Sequence, residues 1–376
     1  MAPTIRLGKI FGIEISANWS LIFIFALITW TLATDVLPSA APGQPALAYW
    51  LAAALGAVAF YLGLLAHELS HALVARRNGV QVSGITLWLF GGVSQLAGEP
   101  PSARAEAFIA GVGPITSFAV AALALVLAVA TGPWALVQAL FAWLAFINVA
   151  LGAFNLVPAF PLDGGRLLSS FFWWRQGTRQ RGVHSAVRIG RLFAYLMIGI
   201  GALELFTGGT SGVVNGVWIA FLGWFLLSAG QSEEAGSVIK ASLRSVPVSA
   251  AMTSPVVTIP DWLSVEQFLE SVAPSHHFAT YPVHDPAGRL TGVVRLNDLI
   301  RLGSAARPDT RLNAVARPLS DVPVTRPDED LAALIERAGA SLENRALVFD
   351  GGQLVGIVSP VDIARLLTAR QALRRS

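Results

Sequence analysis

Cysteine is absent from all 376 residues. That excludes disulfide frameworks and thiolate metal sites, so any metal centre must be built from His, Asp or Glu. Charge is scarce: Asp, Glu, Lys and Arg make up 13% of the chain against 54% hydrophobic residues, about half the charged fraction of ordinary soluble domains. The scarcity is uneven. Residues 1–230 hold 11 Lys/Arg and 7 Asp/Glu, whereas residues 231–376 hold 15 and 16. The first part reads as a membrane domain and the second as a soluble one. The surplus cations of the first part lie beside apolar runs, as membrane topology requires, and nucleic-acid binding is rejected on that ground. A strong signal peptide is also lacking: residues 1–16 are short and carry Glu14 as well as Arg6 and Lys9, so the first span is expected to stay as an anchor.

What is present is a series of long apolar runs. Six spans are expected at about 18–33, 46–75, 105–130, 134–157, 192–206 and 213–229. Residues 3–16 suggest short strands at a membrane surface. Gly91 and Gly92 separate two β-prone arms, 85–90 and 93–96, which reads as a membrane-associated hairpin with an edge free to take a further strand. Residues 158–191 form an arginine-rich segment. An even number of spans puts both termini on one side. Arg6, Lys9, Arg76, Arg77, Arg104 and the arginines from 166 to 191 then share that side, while loops 36–45, 131–133 and 207–212 contain no Lys or Arg. This pattern places both termini in the cytoplasm of a multi-pass cell-membrane protein.

After a polar linker, 231–245, two segments repeat. Gly292 and Asp298 recur as Gly356 and Asp362, at one common offset, and Pro260-Asp261 is echoed by Pro327-Asp328. Each unit reads as helix, strand, turn, strand, helix, and the pair is expected to form one soluble α+β module. The expected organisation is a membrane domain over 1–230, the linker, and repeats at 246–305 and 312–372.

The chemistry concentrates in His67-Glu68-Leu69-Ser70-His71. At 100° per residue the two histidines lie about 40° apart on one helix face, the spacing for gripping one metal ion, with Glu68 beside them as a base. Six histidines and twelve glutamates in this length yield roughly 0.003 such matches by chance, so coincidence is set aside. Charged groups at bilayer depth are costly and by default functional, which disfavours a purely packing role. A zinc site wants a third protein ligand. His184 lies in the arginine-rich segment, and His276, His277 and His284 lie in the soluble module. Asp163 is the candidate: Pro158 and Pro161 break the fourth span near its end and Gly164-Gly165 relaxes the chain, letting the carboxylate turn inward. The competing reading is an ordinary helix N-cap for 166–174.

HExxH in one span, together with Asn155-Leu-Val-Pro158-Ala-Phe-Pro161-Leu162-Asp163-Gly164-Gly165-Arg166 at the end of another, resembles the site-2 protease family of intramembrane zinc metalloproteases. The resembling subgroup has a six-span core and C-terminal tandem CBS domains. The resemblance implies zinc on His67, His71 and Asp163, Glu68 as catalytic base, and Asn155 holding substrate or stabilising the oxyanion. It implies a membrane-tethered protein substrate with a transmembrane helix, cut in or near that helix after pairing with the hairpin. One departure stands out. The family often has asparagine three residues after Gly-Pro in the third span, where this chain has Ser117.

The repeats resemble CBS domains, which often bind adenine nucleotides. On that resemblance Asp298 and Asp362 would meet ribose hydroxyls of ATP or AMP. Ser359 fits the usual Ser/Thr, whereas Arg295 replaces it in the first repeat. CBS modules pair across subunits, which allows a homodimer. The alternative function is a CBS-regulated membrane metal-ion transporter using the same His67, His71 and Asp163. Glu68 argues for hydrolysis, because a transport site needs no base there.

Overall fold

The computed structural model describes residues 4–88, 91–276, 278–303, 310–338 and 345–375. The chain forms two units, Met1–Val238 and Ile239–Ser376.

The first unit begins with β1 (Thr4–Ile10) and β2 (Ile13–Asn18), the expected surface strands. Helix α1 (Ser20–Thr31) runs through a π-helical turn, Leu32–Val36, into α2 (Leu37–Ala40). Next come α3 (Ala46–Arg77), β3 (Gln81–Trp88), β4 (Gly91–Ala97), α4 (Ala103–Ala130), α5 (Ala135–Asn155), α6 (Asp163–Gln176), α7 (Arg179–Thr207) and α8 (Gly209–Leu243). Six helical stretches are long and apolar enough to cross a membrane: Ser20–Ala40, Ala46–Arg77, Ala103–Ala130, Ala135–Asn155, Arg179–Thr207 and Gly212–Leu243.

The expected hairpin is there, as β3 and β4, but Gly91 and Gly92 do not form its turn: they lie in β4, paired with Trp88 and Leu87, and residues 89 and 90 lie outside the described residues. It belongs to a four-stranded sheet in the order β1-β2-β3-β4, parallel only between β2 and β3. Ile13, Ile15, Ile85 and Leu87 on this sheet pack with Leu64 and Ala72 of α3. Burying these apolar side chains together, at about 25 cal/mol per Å², seats the sheet on the HExxH helix. Strand β4 is the sheet's edge, paired on one side with β3.

Two helices are longer than expected. The arginine-rich segment is helical on both sides of Gly177, and α7 starts at Arg179 rather than near residue 192. Likewise α8 runs to Leu243, through the stretch expected as a polar linker. The reason is mutual neutralisation. Arg179 pairs with Glu99 at 3.1 Å, Glu106 at 3.3 Å and Glu233 at 3.8 Å, while Arg191 bonds Glu234 at 3.1 Å and His184 also meets Glu234. Glu106 is 3% exposed, so Arg179 is what makes its burial tolerable. Breaking a buried pair from one side costs about 3–5 kcal/mol. Arg179→Gln is therefore expected to lower the unfolding free energy by about that much in an SDS titration. An unchanged titration midpoint would mean the network contributes nothing.

In the second unit, β5 (Ile259–Pro260), α9 (Val265–Gln267), β6 (Thr280–His284), β7 (Leu290–Arg295) and α10 (Leu296–Gly303) make up the first repeat. Then α11 (Leu312–Val315), β8 (Arg317–Pro318), β9 (Val324–Thr325), α12 (Leu331–Ala338), β10 (Ala346–Asp350), β11 (Gln353–Val358) and α13 (Pro360–Arg375) follow. The sheets order as β5-β6-β7-β8 and β11-β10-β9. Leu243, Val246 and Val248, at and just before the start of the first repeat, sit in the core of the second with Leu331, Leu334 and Val348. The two repeats are thus laced into one module, as their apolar faces require.

Candidate metal centre

Helix α3 presents two adjacent stripes. Leu64 and Ala72 face the sheet, and Glu68, at the helical spacing between them, belongs to that stripe. Gly63, His67 and His71 face the helix bundle: Gly63 abuts Asn148 of α5, and His71 bonds Ile109 of α4. His67 and His71 are 2% and 8% exposed.

Asp163 joins them. It is the first residue of α6, and the N-cap position belongs to Leu162, so the N-cap reading of Asp163 does not hold. Helix α5 ends at Asn155, and the turns through Pro158 and Pro161 return the chain to open α6 at the histidines. The positive end of the α6 dipole favours a carboxylate at this place. Asp163 Oδ2 is 3.2 Å from His67 Nε2 and 3.2 Å from His71 Nε2, and the two Nε2 atoms are 3.1 Å apart. This is the cluster of metal-ligand character found among the described residues.

The triangle fits zinc. Tetrahedral Zn²⁺ with ligand bonds of about 2.0–2.2 Å keeps its ligand atoms roughly 3.4 Å apart. Both Nδ1 atoms are engaged on α4: His71 Nδ1 lies 2.5 Å from the Ile109 carbonyl oxygen and His67 Nδ1 2.8 Å from Ser117 Oγ. With protons on Nδ1, both Nε2 atoms offer lone pairs towards a carboxylate oxygen. Three converging acceptors repel one another unless a cation lies among them. Gly113 leaves the room for it: a Cβ there would stand 2.2 Å from His71 Nε2 and 2.6 Å from His67 Nε2.

Glu68 is half-buried and lies directly under the hairpin, since a Cβ on Gly92 of β4 would come 2.3 Å from Glu68 Cγ. Strand β4 therefore crosses over the candidate base. Asn155 is less engaged than its expected role suggests. Its Nδ2 donates to the Leu151 carbonyl at 3.0 Å, one turn back along its own helix. Ser117 is noticeable in the sequence only as a substitution, and the Ile109 carbonyl leaves no sequence signal.

The second unit has its own cleft, of about 380 Å³, lined by Thr253, Phe278, Thr280, Arg345, Ser359 and Asp362 among others. Asp362 Oδ2 accepts from the Ser359 amide at 2.9 Å and Oδ1 from Thr253 Oγ1 at 3.0 Å. Arg345 bonds Thr280, and burial pushes its guanidinium pKa down while Asp362 opposes the shift. Asp298 differs: its carboxylate is held by Arg317 at 3.2 Å. The structure thus brings Ser359 and Asp362 together in a cleft and leaves Asp298 in an ion pair elsewhere.

The model of peptidase family M50 matches residues 55–133 and 131–197, and the CBS domain model matches 248–305. Rip3 of Mycobacterium tuberculosis, named as a zinc metalloprotease, is 44% identical over 98% of this chain and 93% of its own. A zinc metalloprotease of Methanocaldococcus jannaschii is 26% identical over 98% of this chain and 97% of its own. The solved site-2 protease from that organism aligns at 25% identity over 62% of this chain and 95% of its own, with a TM-score of 0.41. With Rip3 44% identical over nearly the whole length of both chains, the chain belongs to peptidase family M50, the zinc metalloproteases of the site-2 protease type.

Proposed function

We propose that His67, His71 and Asp163 hold zinc and that Glu68 is the base in hydrolysis of peptide bonds in or near the transmembrane helix of a membrane-tethered protein. The observation that carries this is the triangle of 3.1–3.2 Å between the three ligand atoms. Bound there, zinc supplies Lewis-acid polarisation of the attacking water and of the scissile carbonyl. Glu68 takes the water's proton and delivers it to the leaving amine. Asn155 turns its amide from Leu151 towards the substrate backbone or the oxyanion. The free edge of β4, over Glu68, pairs with the unwound substrate strand and satisfies its backbone. Metal analysis of purified protein, with His67→Ala and Asp163→Ala alongside, tests the ligand set. About one zinc per chain is expected in the parent and little in either variant; equal zinc in all three would overturn it.

Both termini are assigned to the cytoplasm, on the grouping of the basic residues at one end of the spans. Arg76 stands five residues beyond His71, about 7.5 Å along the helix axis, so the site lies in the cytoplasmic half of the membrane. The transporter alternative is set aside, since membership of a peptidase family and the place of Glu68 both favour hydrolysis.

An adenine nucleotide, ATP or AMP, is assigned to the Ser359–Asp362 cleft, with Arg345 beside it to meet phosphate. One site per chain is expected, because Arg317 holds Asp298 and Arg295 stands where the first repeat would need Ser or Thr. Calorimetric titration of the full chain with AMP or ATP should give single-site heat that Asp362→Ala abolishes and Asp298→Ala leaves alone. No heat, or equal loss in the two variants, contradicts this.

A further inference from the structure

Three residues of α4 in one stripe, Ile109, Gly113 and Ser117, meet the histidine pair at successive helical turns. Ile109 gives a carbonyl oxygen to His71 Nδ1 at 2.5 Å, Gly113 leaves space at both Nε2 atoms, and Ser117 puts Oγ 2.8 Å from His67 Nδ1. Pro114 follows the glycine inside the helix; without an N–H it leaves the carbonyl four residues back unpaired and loosens the ladder there.

The two histidine contacts are not equivalent. A carbonyl only accepts, so Ile109 forces the proton of His71 onto Nδ1. A serine hydroxyl both donates and accepts, so it serves His67 in either tautomer but orients the ring in both. Ser117 is 0% exposed, and bulk water does not reach it to substitute. Without the hydroxyl, His67 Nδ1 would be a buried polar atom with no partner, and the ring would lose the contact that aims Nε2 at Asp163.

We infer that Ser117 is a positioning residue for the metal centre: it holds the His67 ring so that Nε2 is aimed at the ligand triangle, accepting from Nδ1–H in the tautomer that leaves Nε2 bare. This rests on the metalloprotease reading and adds a residue to it. The group has the place of the asparagine noted above, and its partner is a ligand rather than the substrate.

The test uses the full chain in detergent, with chelator-competed zinc affinity and the visible absorption of the Co²⁺-loaded form as readouts. Ser117→Ala is expected to weaken metal affinity by about 10–100-fold and to alter the Co²⁺ band. Ser169→Ala is the control: Ser169 is also 0% exposed, and its hydroxyl has no hydrogen-bond partner, so affinity and spectrum should stay as in the parent. Parent-like affinity and spectrum in Ser117→Ala would overturn the inference while leaving the metalloprotease reading intact. An equal loss in Ser169→Ala would reduce the effect to generic packing and overturn it too. A parent protein that binds neither metal would overturn the reading beneath it.

Discussion

Glu68→Gln is expected to keep its zinc and lose its turnover. Glutamine preserves the size of the side chain, and Glu68 is on the stripe of α3 that faces the sheet, apart from the ligand triangle. Metal content should therefore equal that of the parent. What disappears is the proton acceptor: an amide oxygen is far too weak a base to take a proton from water and return it to an amine. Positioned acid–base groups contribute about 10²–10⁴-fold, and a fall at least that large is expected in the cleavage of a helical substrate. The check is single-turnover cleavage on samples whose zinc has been measured. Normal turnover with full zinc would remove Glu68 from the mechanism. Loss of zinc together with turnover would make it a ligand instead of a base.

Gly113→Ala should act on the metal itself. The added Cβ would stand 2.2 Å from His71 Nε2 and 2.6 Å from His67 Nε2, far inside contact distance and in the space the ion needs. Relief is not available by moving α4, which is packed against α3, α5 and α6. The rings must swing away, giving up Ile109 and Ser117 as they go. Overpacking of this kind costs about 1–3 kcal/mol, which a six-span bundle tolerates. The expected phenotype is therefore a folded protein with metal affinity reduced by at least about 100-fold. Gly111→Ala is the natural comparison, because its Cβ would meet only Leu167 Cδ2 at an ordinary 3.7 Å. Metal analysis of the two variants after identical purification decides the matter; full zinc in Gly113→Ala would mean the ion lies elsewhere.

Much of this site can be read without coordinates, and the reasons are local. HExxH is legible because the helical period alone fixes where two histidines point. Asp163 is legible because prolines and glycines announce the break that turns it inward. The parts that stay hidden depend on distant partners. Residues 179–191 look like a loop when their charges are read alone; they form a helix because Glu99, Glu106, Glu233 and Glu234 come from other elements to neutralise them. The N-terminal strands are visible as strands, but nothing nearby announces that β2 pairs in parallel with β3 across the whole of α1 to α3. Asp298 and Asp362 look equivalent in the repeat, and a single arginine from β8, outside the repeated motif, separates their environments. The Ile109 contact uses a backbone carbonyl, so no choice of side chain encodes it.

The most direct test of the whole account is to place the purified protein in vesicles with a single-span substrate and locate the cut by mass spectrometry. Cleavage is expected within or beside the substrate's span, in its cytoplasmic half, stopped by a zinc chelator and restored by added zinc. Cleavage that continues unchanged in chelator, or that falls only in a soluble domain far from the span, would contradict an intramembrane metal centre at His67, His71 and Asp163.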